Sequence, residues 1–281
     1  MASRNPIISR TGTFSRSTWT TPPPGAMYGT PPYGGQPYAP PYGAEPYGAH
    51  PYGAQPYAPP AARPMTIDDV VVRGLTMLGT LVLSAALAWY FNLGPGVAGL
   101  AALVGLVLGL IVSFRQSTNP ALILGYAVAY GVAIGVISRV ADAIFHGIVV
   151  QAVLGTMVAF GGTLAVYALR IFRPTPKFTK FVVAAGFAAV GLMLLNWIAG
   201  FFVDGGLGLR TDSPLGWIFS LLMILLGCFF LLLDFADIEQ SVQMGLPERY
   251  SWLMAFGLTL SLVWLYLEIL RFLQYFSGDN E

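Results

Sequence analysis

Seven long apolar segments between residues 70 and 273 constrain the fold of this chain more than any other feature. Each is about as long as a helix that crosses a ~30 Å hydrocarbon layer, and most lack the ~10-residue alternation of a membrane β-strand. Polar or turn-forming stretches such as "NLGPG", "RQSTNP", "RPTPK" and "GLPER" separate them. We therefore predict an all-α, polytopic membrane protein with seven transmembrane helices. The predicted segments are 70–91, 95–114, 120–139, 148–169, 178–202, 215–233 and 252–273.

The composition agrees with a membrane protein and not with a soluble domain. Hydrophobic residues make up 56% of the chain and charged residues only 10%, whereas soluble domains are about 25% charged. A net charge of +1 gives no reason to expect nucleic-acid binding. The first 65 residues contain no compact apolar signal peptide, so the first spanning helix is expected to direct insertion.

The first 64 residues differ in kind from the rest. From Pro32 they repeat "PYGGQ", "PYAP", "PYGAE", "PYGAH", "PYGAQ" and "PYAPP". Proline removes hydrogen-bond donors and glycine loses much entropy on ordering, so this stretch is expected to be a disordered tail. The plain interpretation is a solvated tail, and weak contacts through its spaced tyrosines are the alternative. We predict three parts: the tail 1–64, a helical domain 65–276 and a short polar C-terminus 277–281.

The distribution of positive charge predicts the orientation, because short cytoplasmic connections carry an excess of Lys and Arg. If the tail is cytoplasmic, its side of the membrane receives most of the positive charges. These are Arg63, Arg73, Arg115, Arg170, Arg173, Lys177, Lys180 and Arg249, against only Arg139, Arg210 and Arg271 outside. We expect a cytoplasmic N-terminus and an external C-terminus, although a re-entrant hairpin in place of two helices would reverse the C-terminus.

Catalytic and metal-binding residue types are scarce. His50 lies in the tail repeat and His146 follows the third segment, so no pair of histidines is placed to share a metal ion. Cys228 has no nearby base and, as the only cysteine, no disulfide partner. We therefore expect no enzyme activity, no resident metal and no cofactor.

Polar groups at the ends of or inside the apolar segments are the candidate functional residues, because ionisable groups at membrane depth are costly. Asp234 lies ~28 Å along the sixth segment, at its predicted cytoplasmic edge, and Asp237 follows one turn later on the same face. The two carboxylates form either the mouth of a water-filled vestibule or a solvated helix end. The full set is Arg73, Asn196, Asp234, Asp237, Ser261, Glu268 and Arg271.

The last segment contributes Ser261 and Glu268. Glu268 lies ~24 Å beyond Trp252, in the outer half, and Arg271 follows it at i+3, which is the spacing of a local ion pair. Ser261 is two turns before Glu268 on the same face. Glycine pairs at i, i+4 in "GLVLG" and "GVAIG" predict close helix packing, with a gating hinge as the alternative.

The stretch "LLLDFADIEQSVQMGLPERYSWLMAFGLTLSLVWLYLEILRFL" resembles the end of the Bax inhibitor-1-like (transmembrane Bax inhibitor motif) family in its bacterial form, and "YAVAYGVAIGVIS" is a second, weaker match. The resemblance covers about residues 65–276. It implies seven helices with a central last helix, a bacterial plasma membrane location, and pH-sensitive leakage of calcium or other cations.

In that family an aspartate of the sixth helix, followed by Thr-Gln, pairs with an aspartate of the seventh. Asp234 matches the first position, although "DFA" replaces Asp-Thr-Gln, and Ser261 falls on the second. A serine cannot share a proton as two carboxylates do. Whether Ser261 or Glu268 replaces the second aspartate stays open at this point, and Asp237 is an acid that the family pattern does not require.

Two functions follow from the resemblance. The first is a cation leak pathway, in which Asp234 and Asp237 concentrate cations inside and Glu268 does so outside. The second is a non-conducting membrane protein that binds and modulates membrane-protein quality control or stress machinery. Acids along a hydrated path would favour the first function, and a dry, close-packed bundle would favour the second.

Overall fold

The computed structural model describes residues 63–278, and this part of the chain contains seven long α-helices. All seven are long and apolar enough to cross a membrane, which confirms the predicted count. The predicted disorder of residues 1–64 lies almost entirely outside the described range. The helices are α1 Ile67–Tyr90, α2 Pro95–Arg115, α3 Pro120–Ile144, α4 Ile148–Ala168, α5 Pro176–Ala199, α6 Pro214–Gln243 and α7 Ser251–Gly278, with a 3₁₀ turn at Glu248–Tyr250.

Local sequence signals set where several helices begin. Helices α2, α3, α5 and α6 have proline in the first turn, where its missing N–H costs no helical hydrogen bond. Thr66 begins α1 with a capping box, in which its side chain and that of Asp69 each accept a backbone N–H. Asn119, Thr175 and Ser213 cap the first turns of α3, α5 and α6 with their side-chain oxygens.

Helix α6 extends ten residues beyond the predicted end of its apolar segment at residue 233. The prediction that Asp234 stands at a helix end is therefore wrong: Asp234 and Asp237 lie inside a helix of 30 residues. Ile238 and Ser241 are 8% and 6% exposed, so one face of this polar stretch still packs against the bundle. A hydropathy criterion stops at the first acids and misses this continuation.

Helix α7 lies at the centre of the bundle, as the family resemblance implied. It packs against α1, α3, α4 and α6. Ala255 and Leu265, on different turns of α7, are both 0% exposed. A side chain on α7 can therefore meet partners from several helices, which makes this helix the natural support of a site inside the bundle.

The paired glycines allow close contact between helices, which confirms their predicted packing role. A Cβ atom on Gly131 would overlap the side chain of Ser84, and one on Gly135 would overlap the carbonyl of Ala85, both in α1. Added methyl groups would thus separate α1 from α3. Gly105 and Gly109 of α2 allow close contact with α3. An added Cβ would meet the ring of Tyr130 at Gly105 and the ring of Tyr126 at Gly109.

Successive helices place their connections at alternating ends of the bundle. The end that carries Arg63 and the connections 116–119, 169–175 and 244–250 is here named the tail side. The end that carries the connections 91–94, 145–147 and 200–213 is named the C-terminal side.

Candidate functional site

A hydrogen bond between α6 and α7 joins the two residues that the family resemblance aligned. The Ser261 hydroxyl donates to Oδ2 of Asp234 over 2.5 Å. About 14 Å of α6 and about 15 Å of α7 separate this pair from the tail-side ends of the two helices. The pair therefore lies well within the lengths of α6 and α7 and not at their ends.

The surroundings of the pair are apolar and closely packed. Leu231, one turn before Asp234, and Leu265, one turn after Ser261, are both 0% exposed and belong to one hydrophobic cluster with Phe235. An ionised carboxylate is costly in such surroundings unless it is paired or hydrogen-bonded. Ser261 supplies the one hydrogen bond described for this carboxylate within residues 63–278.

Gly257 makes room for the carboxylate, and the sequence analysis missed it. A Cβ atom at this position would lie 3.3 Å from Oδ1 of Asp234, which is closer than such contacts normally are. Gly257 and Ser261 are one turn apart on the same face of α7, so two small residues face Asp234. The spacing small-xxx-small in "GLTLS" was the available signal.

Asp237 has a different environment from Asp234. It is exposed, one turn closer to the tail side, and the charges of the two carboxylates interact. The structure does not place them in a common vestibule, because the Asp234 side chain is held against α7. Asp237 therefore carries its charge on the tail side of Asp234.

Glu239, the third acid of "LLLDFADIEQ", connects α6 to the end of α4. Tyr167 donates a hydrogen bond to Oε2 of Glu239, Gln243 donates to Oε1 over 3.1 Å, and Arg173 lies 3.9 Å from the same oxygen. This acid is engaged in helix packing. The three acids of the stretch thus have three different environments.

Glu248 joins the start of the described chain to the connection between α6 and α7. Arg73 pairs with its Oε1, and Arg63 Nε lies 2.9 Å from Oε2. The backbone adds two hydrogen bonds, from the Met65 N–H to the Leu246 carbonyl and from the Glu248 N–H to the Arg63 carbonyl. The hydrogen bond and charge of Asp69, with the charge of Glu248, raise the pKa of the Arg63 guanidinium. We name Arg63, Arg73 and Glu248 the tail clamp.

Glu268 lies on the C-terminal side of Ser261 and is only 5% exposed. The expected i+3 pair with Arg271 is present at 3.9 Å, but the nearer partner is Arg210, whose Nη2 donates to Oε1 over 3.1 Å. Arg210 comes from the α5–α6 connection, so helix spacing could not reveal it. Two guanidinium groups beside one carboxylate leave an excess of positive charge, which argues against Glu268 as an attractor of cations.

The linings of two cavities are known, and Asp234 belongs to neither lining. One of about 330 Å³ on the tail side is lined by the tail clamp, Arg249 and Trp252 among others. The other, of about 430 Å³, lies between α2, α3 and α7 and reaches Arg210 and Arg271. The Asp234–Ser261 pair is therefore closed off from both cavities in this conformation.

The remaining candidates have local roles. The side-chain oxygen of Asn196 accepts the Leu207 N–H over 3.0 Å and so shapes the α5–α6 connection. Arg73 belongs to the tail clamp, and Cys228 is partly buried. Within residues 63–278, His, Cys, Asp and Glu side chains form no group of three or more that could hold a metal ion.

Nearly the whole chain, including α6 and α7 with their polar pair, matches a known protein family. A family model described as Bax inhibitor 1 like matches residues 5–278. The chain belongs to the Bax inhibitor 1 like family. The match to this family begins in the tail, so it is longer than the resemblance over about 65–276 that the last two helices suggested. Searches of curated proteins and of solved structures gave no match to this Bax inhibitor 1 like chain.

Proposed function

We propose that this Bax inhibitor 1 like protein is a pH-sensitive leak pathway for calcium or similar cations, with the tail side in the cytoplasm of a bacterial cell. The observation that supports the proposal most is the hydrogen bond from Ser261 to Asp234 between α6 and α7. An ionisable side chain deep in a membrane domain is costly and is normally retained for function.

Asp234 has the chemistry of a cation-binding step. Its carboxylate oxygens are the hard ligands that calcium prefers. Asp237, exposed one turn nearer the tail side, adds negative charge along the approach to Asp234. A cation arriving from the tail side would therefore meet Asp237 first and Asp234 second.

In this proposal the contact between Asp234 and Ser261 closes the ion pathway. The hydroxyl occupies one carboxylate oxygen, and Gly257 lets α7 lie against the other. A cation that binds Asp234 must displace or share this hydroxyl, which separates α6 from α7 at that level. In this proposal the described structure is the closed form, and opening means loss of the contact.

The pH dependence follows from the charge of Asp234. Above its pKa the carboxylate is ionised and attracts cations, and below it the neutral carboxyl attracts them less while still bonding to Ser261. Flux should therefore fall on acidification. Asp237 from α6 is the neighbouring titratable group, and Ser261 is the facing polar group from α7.

Calcium flux into liposomes that contain the purified full-length protein tests the proposal, measured at several pH values against protein-free liposomes. Asp234→Asn keeps the shape and the acceptor for Ser261 but removes the charge, so it should lower flux at neutral pH and flatten the pH profile. Asp212→Asn, on the C-terminal side, is the matched control. Parent flux equal to that of protein-free liposomes would end the conduction proposal.

A non-conducting interaction protein is the second candidate. The observation that favours it is the separation of Asp234 from both cavities, which is what a close-packed bundle without a pathway would show. In that case the partner would be a membrane protein of the quality-control or stress machinery. Absence of flux together with an intact helical fold would favour this candidate.

A further inference from the structure

The cavity of about 430 Å³ between α2, α3 and α7 combines an apolar wall with a charged end. We name it the α2–α7 groove. Its lining includes Leu106, Leu110 and Leu260, which are 57%, 46% and 42% exposed. Exposed leucines in the middle of spanning helices face hydrocarbon, so the groove is open to the acyl chains of the bilayer.

The charged end of the groove has more positive than negative charge. Arg210 and Arg271 line it together with Glu268, so two guanidinium groups face one carboxylate. Arg210 directs its Nη2 to Glu268 and to the sulfur of Met193. Among the residues that line the groove, positive charge therefore exceeds negative charge by one, which is unfavourable at membrane depth.

Two polar atoms near this end have no hydrogen-bond partner among residues 63–278. Nη1 of Arg271 is buried and lies 3.9 Å from Glu268, beyond hydrogen-bond distance. The hydroxyl of Tyr275, a residue only 8% exposed, is also buried without a partner. Tyr275 follows Arg271 by one turn on α7, and its hydroxyl interacts electrostatically with Arg210, Glu268 and Asp212. Buried polar atoms of this kind normally have a partner.

An anionic group would supply both the missing charge and the missing acceptor. Arginine forms strong, charge-assisted hydrogen bonds to phosphate oxygens. We propose that the α2–α7 groove binds a phospholipid with an anionic headgroup from the leaflet on the C-terminal side. Its phosphate would meet Arg271, which lines the groove, with the Tyr275 hydroxyl one turn further along α7, and an acyl chain would lie along Leu106 and Leu110. This site is independent of the proposed ion conduction.

Native mass spectrometry of the full-length protein with phosphatidylglycerol or phosphatidylcholine tests the proposal. The parent should retain phosphatidylglycerol in preference to phosphatidylcholine. Arg271→Gln should weaken phosphatidylglycerol binding roughly tenfold, because a charge-assisted hydrogen bond is lost. Arg139→Gln is the matched control: Arg139 lies on the same side of the bundle but donates to the Leu93 carbonyl and does not line the groove.

A second variant keeps the test valid if Arg271→Gln does not fold. Leu106→Trp adds bulk at an exposed position of the groove and leaves the charges intact, so it should reduce binding of the lipid without affecting the fold. Equal retention of both lipids by the parent, or parent-like binding by Arg271→Gln or by Leu106→Trp, would overturn the proposal. More disulfide-linked dimer in Leu106→Cys than in the parent, whose only cysteine is Cys228, would overturn the proposal and assign the groove to a second copy.

Discussion

Ser261 of α7 donates a hydrogen bond of 2.5 Å to Asp234 of α6, and the two residues are 27 positions apart in the chain. About 14 Å from the tail-side end of α6, α6 and α7 are thus joined by a polar contact with leucines one turn to either side. Such a contact can be removed by small changes that leave the helices intact, so its function can be tested separately from the fold.

Ser261→Ala should increase calcium flux in liposomes, because it removes the hydroxyl that holds Asp234 against α7. The cost in stability should be about 1 kcal/mol or slightly more, since a buried acceptor loses its donor. Ser138→Ala is a matched control: Ser138 is also buried and shares a hydrogen bond of 2.6 Å with Tyr266 of α7. Flux and thermal unfolding measured on both variants separate the effects. Similar flux from the two variants would contradict a specific closure role for Ser261.

The family resemblance had already aligned Ser261 with Asp234, and the seven helices were predictable from their apolar length. Contacts between segments far apart in the chain could not be predicted from the sequence. Arg210 reaches Glu268 across 58 positions, from a connection whose path no periodicity describes. The continuation of α6 beyond Asp234 was missed for another reason: its buried face is narrow, so average hydropathy falls while packing continues.

Gly257→Ala should weaken the same contact from the opposite side. The added Cβ atom would lie 3.3 Å from Oδ1 of Asp234, so the carboxylate or α7 must move. We expect a higher calcium flux and a lower unfolding temperature than in the parent. Gly161→Ala in α4 is the control, because nothing lies within 4 Å of its added Cβ and alanine favours helix. A Gly257→Ala variant as stable as Gly161→Ala and with parent-like flux would show that this close approach is not required.

The tail side should face the cytoplasm. This side carries most of the positive charge, including Arg170 and Arg173 between α4 and α5 and Lys177 in the first turn of α5. Topology reporters fused after Lys177 and after Glu281 should give opposite signals, cytoplasmic for the first and external for the second. Three helices, α5, α6 and α7, separate the two fusion points. Equal signals would contradict the crossing of all three, and opposite signals in the reverse order would contradict the orientation.

Removal of residues 1–62 should leave the helical domain as stable as the parent, whereas removal of residues 1–64 should destabilise it. The first truncation keeps Arg63, which pairs with Asp69 and Glu248 and whose carbonyl accepts the Glu248 N–H. The second removes these contacts and leaves Arg73 as the remaining cation of the tail clamp. Arg63 is half exposed, so its ion pairs contribute little, and the expected loss of roughly 1 kcal/mol comes mainly from the backbone hydrogen bond.

Thermal unfolding of the two truncated proteins in the same detergent measures this difference, and Glu248→Gln in the longer protein shows how much depends on charge. The substitution should lower stability more than Arg63→Gln does, because Glu248 serves both arginines and Arg73 is only 16% exposed. The clamp ties the chain's entry into α1 to the connection that leads into α7, so its loss should loosen the tail-side end of α7. Equal unfolding temperatures for the two truncated proteins would show that residues 63 and 64 do not stabilise the helical domain. The contacts of Arg63 in the tail clamp would then make no contribution to stability.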